Sequence, residues 1–142
     1  MGSTLLVPFS ACKERPRSVT LDVVLFSYLD RSIFDVFVDK TDIGVAGPWP
    51  YSGRGSMGGV RVALRPLTVS WRLGGPEGMA RNGETVIARN APEVKNVDPK
   101  VAFLGVHIYD DDTVELLASQ HFPAMSERGA RYDLKWRQAD GK

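Results

Sequence analysis

The side chains able to do chemistry in this sequence are few and scattered: His107, His121, the single cysteine Cys12 and the run Asp110-Asp111-Asp112. Two histidines that are not closely spaced and one cysteine leave a zinc site short of ligands. Three consecutive aspartates could offer carboxylates to Ca2+, but an oxygen cage takes about six or more ligands at defined positions, and no EF-hand spacing surrounds them. They read as a solvated turn. A serine nucleophile is commonly framed as Gly-x-Ser-x-Gly on a sharp turn, and no serine here is framed that way. Gly53-Arg54-Gly55-Ser56-Met57-Gly58 matches Gly-x-Gly-x-x-Gly letter for letter. That fingerprint works when its third glycine opens a helix whose N-terminus meets a pyrophosphate. Here Val60-Arg61-Val62-Ala63-Leu64 is β-like and Pro66 follows, so the dinucleotide reading is rejected. His107 lies in Val106-His107-Ile108-Tyr109 on one face with Phe103 and Tyr109, and reads as a partly buried or sheet-surface histidine. No catalytic constellation, metal site or cofactor emerges, and the chain is expected not to be an enzyme.

Cys12 carries the one covalent chemistry the sequence suggests. Thr4-Leu5-Leu6-Val7-Pro8-Phe9-Ser10-Ala11 is an apolar run ending at this cysteine, with small residues directly before it. The pattern looks like a lipobox, where the peptide is cut ahead of the cysteine and the thiol is acylated. The run is short and no positively charged segment precedes it. The competing reading is an ordinary N-terminus with a chance buried cysteine. N-myristoylation at Met1-Gly2 fits less well, because Leu6 stands where Ser or Thr is required. Lipidation at Cys12 would place the rest of the chain outside the cytoplasm, on a membrane. Residues 1–17 therefore read as signal remnant and tether, with Lys13-Glu14-Arg15-Pro16-Arg17 as a solvated spacer.

The 142 residues fit one domain, and residues 18–142 alone are enough to bury roughly two thirds of their unfolded surface. Eighteen Lys and Arg against seventeen Asp and Glu give a formal charge of +1, which argues against nucleic acid as a partner. No apolar run of the body approaches the roughly twenty residues that span a bilayer. A membrane connection would be the acyl anchor only.

The elements that must position these groups read as strands. Short apolar and β-branched runs alternate with Gly, Pro, Asn and Asp clusters, and no long stretch shows a 3.6 period. Strands are expected at about Val19–Tyr28, Ile33–Asp39, Val60–Arg65, Leu67–Leu73, Glu84–Arg89, Val101–Asp110 and Thr113–Gln120. In the second, Phe34, Val36 and Val38 share the face expected to be core. The last two strands flank Asp110-Asp111-Asp112 as a hairpin. About seven strands without helical crossovers favour an antiparallel β-sandwich. Residues 91–100 read as a loop, and the tail after Pro123 as an edge strand, a short helix or nothing.

Gly44 to Gly59 stands out as a long Gly-rich loop holding six glycines, two prolines, Trp49, Tyr51 and Arg54. Loops of that length inside compact domains are often functional, and Trp, Tyr and Arg dominate binding hot spots. Trp49, Tyr51 and Arg54 are therefore partner-binding candidates; the alternative has Trp49 and Tyr51 folding back as a lid. The Asp110–Asp112 turn is a second candidate surface, able to meet a basic patch.

A resemblance sharpens this. Phe26-Ser27-Tyr28-Leu29-Asp30-Arg31-Ser32-Ile33, a Gly-rich segment, a basic strand ending at Pro66, Val69-Ser70-Trp71, Phe103-Leu104-Gly105-Val106-His107-Ile108-Tyr109, Thr113-Val114-Glu115-Leu116 and Pro123 are similar to a family of bacterial lipoproteins long labelled as of unknown function. The similarity spans most of Leu21 to Pro123. Members occur beside lipase effectors of type VI secretion systems, so the resemblance implies a periplasmic, lipid-anchored immunity protein that binds and neutralises such a phospholipase. Two departures stand out. Members often read Asn and Thr where this chain has Ser27 and Leu29, and often carry a Cys pair where Gly58 and Gly59 stand. No catalytic residue transfers from the family. Rival expectations are a structural or assembly lipoprotein that inhibits nothing, and an unrecognised hydrolase.

Overall fold

The computed structural model describes residues 17–94 and 97–140; Cys12 and the expected tether up to residue 16 lie outside the described residues. Eight strands and one helix follow in order: β1 (Ser18–Ser27), β2 (Ile33–Val38), β3 (Thr41–Ala46), β4 (Arg54–Ala63), β5 (Val69–Leu73), β6 (Thr85–Ile87), β7 (Phe103–Ile108), β8 (Val114–Ser119) and α1 (Glu127–Asp140). They form two four-stranded sheets, β4-β1-β7-β8 and β3-β2-β5-β6, packed as a β-sandwich. Every paired neighbour is antiparallel except β1 and β7, which run parallel from Asp22↔Phe103 to Ser27↔Ile108.

Strand alternation explains the core. Leu21, Val23 and Leu25 of β1, with Leu104, Val106 and Ile108 of β7, point inward. They meet Ile33, Val36, Ile43, Val69, Trp71 and Leu73 of the other sheet in one apolar cluster. β1 is buried on both faces in its second half, because Val24 and Phe26 on its outer face, and Tyr28 just beyond its end, are covered as well.

Two sequence expectations are corrected. The core face of β2 is Ile33, Val36 and Val38, not Phe34, Val36 and Val38; Phe34 is only half-buried. Asp35 adopts a left-handed φ of 50° and the ladders shift register there, so the bulge moves the inward set by one residue. The stretch from Gly44 to Gly59 is not one long loop. β3 and β4 claim its ends, leaving 47–53 as the connection, and the Gly53–Gly58 motif runs into extended strand rather than a helix. Gly55 shows why a glycine is needed inside β4: a Cβ there would lie 2.5 Å from the Val45 carbonyl oxygen.

Candidate functional site

β1 and β7 both carry aromatic residues on their outer face. Phe26, Tyr28, His107 and Tyr109 form a stack there, with Phe26 and His107 rings 4.6 Å apart and Tyr28 and Tyr109 rings 5.3 Å apart, all nearly parallel. Trp49, from the connection between β3 and β4, tilts against Tyr28 at 4.7 Å. The parallel β1–β7 pairing creates this layer, since it sets Phe26 opposite His107.

The tail after Pro123 covers the stack with α1. Ser126 caps the helix, its Oγ accepting the Gly129 N–H at 2.8 Å. From that cap a directed chain of hydrogen bonds follows. Ser126 Oγ lies 2.5 Å from Tyr109 Oη, which donates to Glu115 at 2.6 Å. The Ser126 N–H donates to Tyr28 Oη at 3.3 Å, leaving the Tyr28 proton for His107 Nδ1 at 2.9 Å. Arg128 stacks over Tyr109, 3.9 Å from its centroid, and pairs with Asp111 at 2.9 Å. Tyr132 donates to Asp110, and Asp133 accepts the Trp49 indole N–H at 2.9 Å.

Burial sets the protonation states. It lowers His107 to about 4, so the imidazole is neutral at pH 7. It also raises Tyr28 and Tyr109, with Glu115 adding to the rise at Tyr109, so both hydroxyls stay protonated. The Thr113 hydroxyl bond, followed by Arg128, holds Asp111 ionised below the usual carboxylate range. The serine proton goes to a tyrosine and the imidazole is held by another, so neither arrangement presents an activated nucleophile. The residues form a positioning network.

Between this layer, α1 and the segment around Arg81 lies an open cleft of about 440 Å3. Its walls include Tyr28, Trp49, Tyr132 and Trp136, and its rim carries Asp30, Arg31, Asp110, Asp112, Arg81 and Lys135. Arg31 is held in place by the Gly74 and Ala80 carbonyls and Asn82, and Arg81 by Glu84. Tyr51, 79 % exposed, stands edge-on to Trp136 at 5.8 Å beside the cleft.

The sequence candidates are distributed unevenly over this surface. Trp49 is 6 % exposed, folded back over Tyr28 as the lid while still lining the cleft, and Tyr51 faces outward. Arg54 lies over the Phe26 and Trp49 rings at 5.7 and 5.8 Å and does not line the cleft. Asp110 and Asp111 are occupied by Tyr132 and Arg128; Asp110 and Asp112 line the cleft and Asp111 does not. His107 is fully buried rather than partly exposed. Sequence reasoning missed Arg128, Tyr132, Lys135 and Trp136; the recurrence of Arg128, Tyr132 and Trp136 at four-residue spacing was the available signal.

Among the described residues no group of three His, Cys, Asp or Glu is placed to hold a metal, and no helix is long and apolar enough to cross a membrane. No protein-family model, curated protein or solved structure matches the chain.

Proposed function

We propose that this chain is a binding protein that neutralises a lipase effector of a type VI secretion system, acting as an immunity protein in the periplasm. The observation that carries the binding reading is exposed Tyr51 standing edge-on to half-buried Trp136, which lines an aromatic, charge-rimmed cleft. Exposed aromatic residues over a cleft supply large contact area for modest entropy cost, and the charged rim orients the partner. In the neighbouring network Tyr28, His107 Nδ1, Tyr109, Glu115 and Ser126 are meanwhile bonded to one another. The nature of the partner rests on the lipoprotein resemblance spanning most of Leu21 to Pro123.

Acylation at Cys12 belongs to the same reading. A toxin that attacks lipid is best intercepted at the membrane, where an anchored inhibitor has a high effective concentration. The rival structural role would use the same anchor without inhibition.

The test asks first whether a lipase is encoded beside this gene, then mixes that lipase with the purified chain and follows phospholipid hydrolysis in vesicles, with affinity measured by calorimetry; absence of any such neighbour counts against the immunity reading. Stoichiometric inhibition is expected. Replacing Tyr51 and Trp136 together by alanine should weaken binding by about 2 kcal/mol or more, roughly thirtyfold in Kd. Undiminished hydrolysis at saturating inhibitor ends the immunity reading. Unchanged affinity of the double variant removes this surface from it.

A further inference from the structure

We propose that α1 is a hinged strap that opens as a unit from the aromatic face of the β4-β1-β7-β8 sheet while the sandwich stays folded. Three observations lead there. The main apolar core draws no residue from α1, so the two sheets hold together without it. The helix itself buries only Gly129 and Asp133 among its side chains described, and Leu134 points into solvent at 57 % exposure. It lacks the apolar stripe by which surface helices are usually held.

The third observation concerns what opening leaves behind. Most groups that α1 or its cap satisfies have a second partner on the sandwich. Tyr28 Oη keeps His107, Tyr109 Oη keeps Glu115, and Asp111 keeps the Thr113 N–H and hydroxyl. Trp49 Nε1, which loses Asp133, is released toward water. Opening therefore orphans no hydrogen-bonding group of the inner network, so its cost is confined to baring the aromatic face and stays below that of unfolding the sandwich. The connection 120–126 lies outside both sheets and supplies the hinge.

Closure has a tight steric requirement. A Cβ at Gly129 would lie 2.2 Å from Tyr28 Cζ and Oη, inside a ring fixed by its stack. Gly129→Ala thus works in two directions at once: it favours the helix by about 1 kcal/mol in isolation and blocks its docking. When α1 lifts, Tyr28, Trp49 and Tyr109 become an aromatic surface and the cleft loses the wall made by Tyr132, Lys135 and Trp136.

Native-state hydrogen exchange on the full chain, at increasing urea below the unfolding transition, tests this. Amides of α1 should exchange through an opening whose urea slope is clearly smaller than that of global unfolding, while β1 and β7 exchange only with global unfolding. Gly129→Ala should speed α1 exchange by about tenfold or more, equivalent to 1.4 kcal/mol, with β1 and β7 unchanged. Arg128→Ala, which removes the stack on Tyr109 and the Asp111 pair, should do the same without a steric clash. The proposal fails if α1 shares the exchange free energy and urea slope of the strands, or has no protection at all. It fails equally if either variant lowers the protection of β1 and β7 along with α1, outright unfolding included.

Discussion

Acidification should weaken this fold through His107, by an amount the structure sets. The imidazole is 1 % exposed and burial lowers it to about 4, against an ordinary value of 6.5 when the chain is unfolded. Between those two values the unfolded chain binds a proton that the folded chain refuses, so stability rises with pH across the window. The contribution is absent above about pH 6.5, grows as pH falls, and saturates below about 4. At about 1.4 kcal/mol per pH unit the full loss is about 3 kcal/mol. Urea unfolding at pH 7, 5.5 and 4 measures it, with His107→Phe as the reference, because phenylalanine retains the stack on Phe26 and cannot titrate. Other carboxylates also lose pairing on acidification, but they act alike in both proteins. The free-energy difference between wild type and variant should therefore shift by about 3 kcal/mol in the variant's favour from pH 7 to pH 4. A difference that stays constant with pH refutes the reasoning, since it would mean the imidazole is no harder to charge folded than unfolded.

Two further perturbations probe the frame that carries the site. Gly55→Ala should destabilise the fold by about 2 kcal/mol in urea unfolding, because its Cβ meets a backbone carbonyl of β3 and both strands must part to admit it; Ser56→Ala beside it, exposed in β4, should change little. Asn90 acts as a surrogate strand at the β8 edge, its amide donating to the Val114 carbonyl at 2.8 Å and accepting the Val114 N–H at 2.9 Å. Asn90→Ala should cost about 1–2 kcal/mol by the same measurement, and Asn90→Asp, which sets a carboxylate oxygen against the Val114 carbonyl, should cost at least as much.

The strands with strong apolar alternation were legible. β5 reads Val-Ser-Trp-Arg-Leu and buries its odd positions as the alternation demands, and the hairpin around Asp110-Asp111-Asp112 forms where the acid cluster marks a turn. β3 and the first half of β4 were not legible, for a definite reason. Arg54-Gly55-Ser56-Met57-Gly58 holds a single large apolar residue, exposed at that, and its glycines are turn signals by composition. It is a strand because β1 supplies a partner for its backbone and because Gly55 must approach Val45. Neither cause is local in sequence. The bulge at Asp35 belongs to the same class: period-two reasoning assumes an unbroken pleat, and one left-handed residue shifts everything before it to the other face.

The site was half visible for a related reason. Phe26, Tyr28, His107 and Tyr109 lie on strands whose inner faces already satisfy the core, so an alternation argument assigns them to solvent. They are buried because α1 and Trp49 provide a third layer. That layer is assembled by long-range polar pairs such as Trp49 to Asp133 and by Arg128 and Tyr132 stacked on Tyr109, rather than by an aliphatic stripe on the helix. A helix attached in this manner leaves almost no hydrophobic period in its own sequence, which is why the tail after Pro123 gave no clear assignment. The same physics that hides α1 from sequence reasoning makes it detachable. Hydrogen bonds exchanged for water contribute about 1 kcal/mol each, against several for a buried apolar face. Among the described residues the element hardest to read is therefore also the detachable one, and it supplies the cleft wall in which Trp136 stands next to Tyr51.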